Sequence, residues 1–270
     1  MKLYSLLFLD EAARTPEEAS SKGIAALNLK NRVVLFSVNR VLETTKKFLQ
    51  KTPKTEQNES DYDEMLGTEL AKRSIVGQVL VSPWRISTDL SVVNTSAGVN
   101  KFGPLAYQLA MAAIHPSWLM SDQTLTTGKA GRGGSADVWN KMYELSEQGV
   151  YERKWLGDYN LNSKTSPLVH RMNATPKAEN IFAHYNIVYG TSEEGIQGYL
   201  EDHGLESKYS PSEFGYFWAY RLADPSSVNG SKLYIAGSGL VEDMKKLGVT
   251  DPERSLDMAG SEFFDRRYDE

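Results

Sequence analysis

Apolar positions recur along this chain with two different periods, and each change of period marks the edge of an expected element. Thr15-Pro16-Glu17-Glu18 is a helix start. The threonine caps, proline is tolerated in the first position, and Glu18 can bond back to the cap nitrogen. The pattern predicts that this helix runs to about Leu29. Residues 32–38, β-branched and apolar, predict a strand. A second helix is expected over 41–51, where Val41, Thr45, Phe48 and Leu49 share one face. Residues 52–64 hold almost no apolar anchor and predict an exposed loop.

Beyond Ser74 the pattern becomes strand-like at 75–84 and again at 89–95, through Leu90, Val92 and Val93. Gly98, Asn100 and Gly103 then break the chain, and a strongly apolar helix is expected over 104–114. A short strand at 117–121 follows. A glycine-rich loop at 128–134 leads into a helix over 135–148, for which Ser135 is the natural cap. Strand, strand, loop, helix, strand, loop, helix is the order of an α/β unit. The last third is less regular, with prolines at 167, 176 and 211. Residues 214–222 and 232–236 predict ordered segments, 240–247 a short amphipathic helix, and 263–270 a charged tail. The expected fold is α/β in the α+β sense: a mixed, mostly antiparallel sheet flanked by helices. A domain over 1–155 would carry a C-terminal extension or small second domain over 156–270.

Composition narrows the chemistry. The chain has 270 residues, 40% of them hydrophobic, so a sizeable core is within reach. A net charge of −5 argues against a phosphate backbone or an anionic membrane as principal partner. Lys46, Lys47, Lys51 and Lys54 form a local basic patch that acidic residues follow at once. There is no cysteine, which removes disulfides, thiolate metal sites and cysteine nucleophiles together. The histidines at 115, 170, 184 and 203 lack metal-ligand spacing, so no metal is expected. Asp61 and Asp63 fail as a calcium loop, because Leu66 stands where the loop needs glycine. The first nine residues are too short an apolar run for a signal peptide, with Asp10-Glu11 following directly, and predict a strand or packed segment. No run is long and apolar enough to span a bilayer. The trend is toward a soluble protein that is not secreted. Trp84, Trp118, Trp139, Trp155 and Trp218 are expected in the interior. Gly237-Ser238-Gly239, between an expected strand and helix, predicts a capped turn, with a phosphate loop as the other reading.

The segment with most chemical potential is the strand at 89–95, the turn at 98–103 and the helix at 104–114. A helix that starts just after a strand points free backbone N–H groups and the positive end of its dipole at the turn. An anion can settle there without a basic side chain. Ser121 and Asp122 end the next strand. Asn100-Lys101-Phe102-Gly103 at the turn, Gly103-Pro104-Leu105-Ala106-Tyr107 opening the helix, and 135–143 ending on Tyr143 together resemble the cofactor-binding half of the GNAT superfamily of acyl-CoA N-acyltransferases. The broader run, with Ser121-Asp122 and Val138-Trp139, is similar to GNAT-like proteins of tailed phages. In that superfamily a Gln/Arg-x-x-Gly-x-Gly/Ala turn holds the pyrophosphate of acyl-CoA. Here position 100 is Asn, position 105 is Leu, and Pro104 lacks an N–H.

The resemblance implies acyl-CoA held at Asn100, Lys101, Gly103 and Leu105. It implies Asp122 or Glu144 as base, and Tyr143 as proton donor to the departing thiolate. Two functions follow from it. One is an N-acyltransferase, in the cytoplasm or in a host cell. The other is a non-catalytic phage protein, virion-associated or internal, that keeps the scaffold for binding structural partners.

Overall fold

The structure, a computed structural model, describes residues 15–29, 31–55, 61–84, 88–98, 102–121, 135–156 and 218–268. The opening segment, the 128–134 loop and nearly all of 156–215 lie outside the described residues. Seven strands form one mixed, mostly antiparallel sheet with helices around it, which is the class the sequence predicts. The strands are β1 (Ile24–Leu29), β2 (Arg32–Ser37), β3 (Ile75–Pro83), β4 (Leu90–Gly98), β5 (Trp118–Met120), β6 (Tyr151–Trp155) and β7 (Trp218–Leu222). Their order across the sheet is β1-β2-β3-β4-β5-β7-β6. β1–β2, β2–β3, β5–β7 and β6–β7 are antiparallel, whereas β4 and β5 run parallel. The described residues fall into two compact units. One is drawn from 1–81, 94–113 and 226–270, the other from 82–93 and 114–225.

In the first unit, α1 (Pro16–Ser21) begins as expected. Thr15 Oγ1 accepts the Glu18 N–H at 3.1 Å, and the Glu18 carboxylate accepts the Thr15 N–H at 3.2 Å. The helix does not continue to Leu29. Gly23, at φ 67°, takes the left-handed conformation that ends it, with its N–H on the Ser20 carbonyl. The following run, Ile24 to Leu29, is β1 and pairs with β2 from Ile24↔Ser37 to Leu29↔Arg32. Its near-continuous burial explains the misreading, because a strand buried on both faces loses the alternation that identifies it.

α2 (Val38–Lys51) starts three residues before the expected point and buries Val41, Thr45 and Phe48. The expected loop at 52–64 ends early. Tyr62 is almost wholly buried and opens α3 (Tyr62–Ala71), whose apolar stripe is Tyr62, Leu66 and Leu70. The Tyr62 ring meets Phe48 edge-on at 5.1 Å, and its hydroxyl donates to the Thr52 carbonyl at 2.6 Å. Burial pushes the Tyr62 phenol above its usual range.

Two further helices complete this core, α6 (Ser231–Lys246) and α7 (Pro252–Tyr268). The segments expected at 232–236 and 240–247 are thus one continuous helix. Gly237-Ser238-Gly239 lies inside it, so neither a capped turn nor a phosphate loop exists there. Gly237 is where α6 meets β1: a Cβ on it would stand 2.1 Å from the Ala26 carbonyl oxygen. α7 replaces the expected charged tail and reaches α3 in the same way. A Cβ on Gly67 would stand 2.6 Å from Met258 Cβ and 2.8 Å from the Ser255 carbonyl oxygen. The hydrophobic core joins Phe36, Phe48, Leu66, Leu70, Leu240, Met244 and Leu256. Each such side chain contributes about 1.5–3 kcal/mol on leaving water. The Arg254–Glu64 ion pair joining α3 to α7 is exposed and screened by solvent, so packing, not charge, docks α7.

α4 (Gly103–Ile114) also belongs to this unit for almost all its length, and every residue from Leu105 to Met111 is buried. In the second unit, β4 pairs with β5 through Leu90↔Trp118, Ser91↔Leu119 and Val92↔Met120. α5 (Ser135–Glu147) places Trp139 almost wholly out of water, against Tyr220 of β7 at 5.9 Å between ring centres.

Candidate functional site

The start of α4 is built from β3 upward. Gly77 of β3 has no side chain, and the backbone of Phe102 fills that space: a Cβ at 77 would lie 3.1 Å from the Phe102 carbonyl oxygen. Phe102 is itself buried, and its carbonyl accepts the Ala106 N–H at 3.1 Å as the first bond of α4. An α-helix leaves its first N–H groups without intrahelical acceptors. Pro104 supplies none, so Gly103 and Leu105 carry the donors of this first turn. The Leu105 side chain is fully buried, which leaves only its backbone to meet a ligand. Asn100 and Lys101 lie outside the described residues.

Asp122 lies outside them as well, while Ser121 just before it is buried. Glu144 and Tyr143 are neighbours on α5. The Glu144 carboxylate is exposed and paired with Lys141 at 2.9 Å, one helical turn away. Tyr143 is half-buried under the Arg153 guanidinium of β6, 4.2 Å from its ring centre, and 6.1 Å from the Trp218 ring. Arg153 also covers Trp218 at 4.8 Å and donates to Ser146 Oγ at 3.1 Å, so it is held from several sides. A cation over an aromatic face gains roughly 0.5–2 kcal/mol, more as water is removed. Of the five tryptophans, Trp139, Trp155 and Trp218 are buried as expected. Trp84 and Trp118 are half-buried, and the Arg221 guanidinium covers Trp118 at 4.3 Å.

A second feature was only partly legible in the sequence. α2 and α3 are separated by an open groove with a volume of about 1190 Å³. Arg40, Lys47 and Lys51 line it from α2, with Lys72 and Arg73 opposite, against the carboxylates Glu43 and Glu69. Lys47 pairs with Glu43 and holds its carboxyl below the usual range, and Lys72 pairs with Glu69. Arg40 donates to the Arg73 carbonyl at 3.1 Å. Lys47 and Lys51 stand out in the sequence as part of a basic run. The spacing of Arg40, Lys47 and Lys51 by seven and four residues is the signal that they share one helical face. Lys72 and Arg73 join them only through folding.

Among the described residues no cluster of acidic or histidine side chains is arranged to hold a metal ion, and no helix is long and apolar enough to cross a membrane. No family model, no curated protein and no solved structure matches this chain.

Proposed function

We propose that the chain is a GNAT-like protein that binds an acyl-CoA, with the cofactor's pyrophosphate at the first turn of α4, and passes the acyl group to an amine. The observation that carries this reading is the parallel pairing of β4 with β5, joined in sequence through α4, whose first residue is Gly103. The order of strand, helix, strand and later helix is the one the resemblance carries in its cofactor-binding half. The Gly103 and Leu105 amides and the positive end of the α4 dipole suit a diphosphate. In the reaction the amine nitrogen bonds to the thioester carbonyl carbon, and a backbone N–H stabilises the oxyanion. The C–S bond then breaks. Asp122 or Glu144 takes the amine proton, and Tyr143 protonates the leaving thiolate.

A second reading has its own observation. Glu144 is already paired with Lys141, and Tyr143 already lies beneath Arg153. Groups engaged in this way fit a scaffold retained for binding, as in a non-catalytic phage protein with structural partners, where no proton transfer is demanded.

Calorimetric titration and thermal unfolding with CoA and acetyl-CoA test the proposal. A ligand bound only to the native state adds about 2.7 kcal/mol of stability at a hundred times its Kd, so a clear rise in Tm is expected. Neither heat nor a Tm shift at millimolar ligand would remove acyl-CoA from the account. Binding without thiol release in the presence of amines would select the scaffold reading over the enzyme.

A further inference from the structure

The groove between α2 and α3 departs from the rest of the chain. The protein carries a net charge of −5, yet five cationic side chains face two carboxylates here. Both carboxylates are neutralised by neighbours on their own helices, Glu43 by Lys47 and Glu69 by Lys72. Arg40, Lys51 and Arg73 form no ion pair among the described residues and all three are exposed, although Arg73 also helps to lower the Glu43 carboxyl. The groove is not simply basic. Met65, 40% exposed, is one of two large exposed hydrophobic residues among the described residues and stands in its wall beside Phe48. Thr44, Thr52 and Thr68 add hydroxyls between charge and apolar surface.

Size and chemistry together choose the occupant. Small-molecule pockets enclose roughly 300–1,000 Å³, and this open groove is larger. A single-stranded nucleic acid held by its bases would use an aromatic face for stacking. Phe48 is nearly buried, with Tyr62 against it, and the accessible apolar group is a flexible thioether suited to aliphatic side chains. A groove between two helices, with one exposed apolar side chain, Met65, among cationic ones, fits a third helix whose own face is apolar and whose flanks are acidic. We propose that the α2–α3 groove docks an acidic amphipathic helix of a partner protein, with an apolar side chain on Met65 and carboxylates on Arg40, Lys51 and Arg73. This surface is independent of the acyl-CoA reading.

The test uses the full chain and a fluorescein-labelled peptide of about four helical turns (roughly 14 residues), with leucines at i, i+3 and i+4 spacing and glutamates elsewhere. Fluorescence anisotropy is expected to show binding that weakens as salt rises, since exposed charges are screened beyond about 8 Å at physiological ionic strength. Lys51→Glu with Arg73→Glu, and separately Met65→Asp, are each expected to weaken binding about tenfold or more. Circular dichroism and unfolding midpoints should stay at the wild-type values. If the double reversal disturbs folding, Lys51→Gln with Arg73→Gln gives the same reading with a smaller loss. The proposal is overturned if the peptide fails to bind, or if its lysine-for-glutamate counterpart binds equally well. It is also overturned if the groove variants leave affinity unchanged. A single-stranded oligonucleotide of equal charge that binds as tightly would make the groove a general polyanion site and overturn the helical partner.

Discussion

Two glycines two residues apart on α6 have opposite consequences for the same substitution. Gly237 faces β1 so closely that a Cβ would overlap the Ala26 carbonyl oxygen, whereas nothing lies within 4 Å of a Cβ on Gly239. Gly237→Ala should therefore cost at least about 2 kcal/mol through forced separation of helix and strand. Gly239→Ala should stabilise by about 0.5–1 kcal/mol, because alanine loses less backbone freedom in a helix. Urea unfolding of the two variants checks both signs. Tyr234, three residues before Gly237, supplies a pH dependence. Burial raises its phenol from 10.0 to about 12. Between those values the folded state keeps a proton that the unfolded chain has released. The associated stability is therefore complete below pH 10.0 and is lost as pH rises toward about 12. The loss amounts to roughly 3 kcal/mol. Tyr234→Phe should lack this alkaline decline in unfolding midpoints recorded across that window.

At the scale of elements, α7 shows how a polar sequence becomes a core helix. Its buried residues include Ser255, Leu256, Ala259 and Gly260, small for the most part; Ser255 and Ala259 lie against α3 at Gly67, and Gly260 against Arg32 and Gln78. Short side chains contribute little transfer energy singly, and close approach compensates through many weak contacts. Gly67→Val should push the helices apart, cost at least about 2 kcal/mol and remove hydrogen-exchange protection from α7 amides. Arg254→Ala, which removes the exposed pair with Glu64, should leave the unfolding midpoint close to the wild-type value. α1 makes the complementary point. Its capping box is fully formed, yet six residues are too few for an isolated helix, so its place rests on the burial of Pro16 and Ala19.

For the molecule as a whole, the two candidate sites rest on different physics. The first turn of α4 attracts an anion through backbone dipoles, which any helix provides, and its selectivity depends on what surrounds Gly103. The α2–α3 groove attracts through side-chain charge that the chain's negative total makes conspicuous. A Tm rise with acyl-CoA reports on the first, and salt-dependent peptide binding on the second. Variants at Lys51 and Arg73 should leave the acyl-CoA response unaltered, which separates the two.

Local grammar determined more of this protein than its weak periodicity suggests. The cap at Thr15, the β-branched run of β2, the apolar face of α2 and the helix start at Gly103 are interactions among residues close in sequence, so they can be read from sequence. Tertiary structure decided the remainder. Ile24 to Leu29 is a strand because β2 pairs with it and helices cover it, although its letters suit a helix equally well. Residues 231–246 form one helix through Gly237 because β1 accepts a bare backbone there, while Gly239 faces open space. Pairings of this kind depend on surfaces brought together from distant parts of the chain, and no local pattern encodes a distance between them.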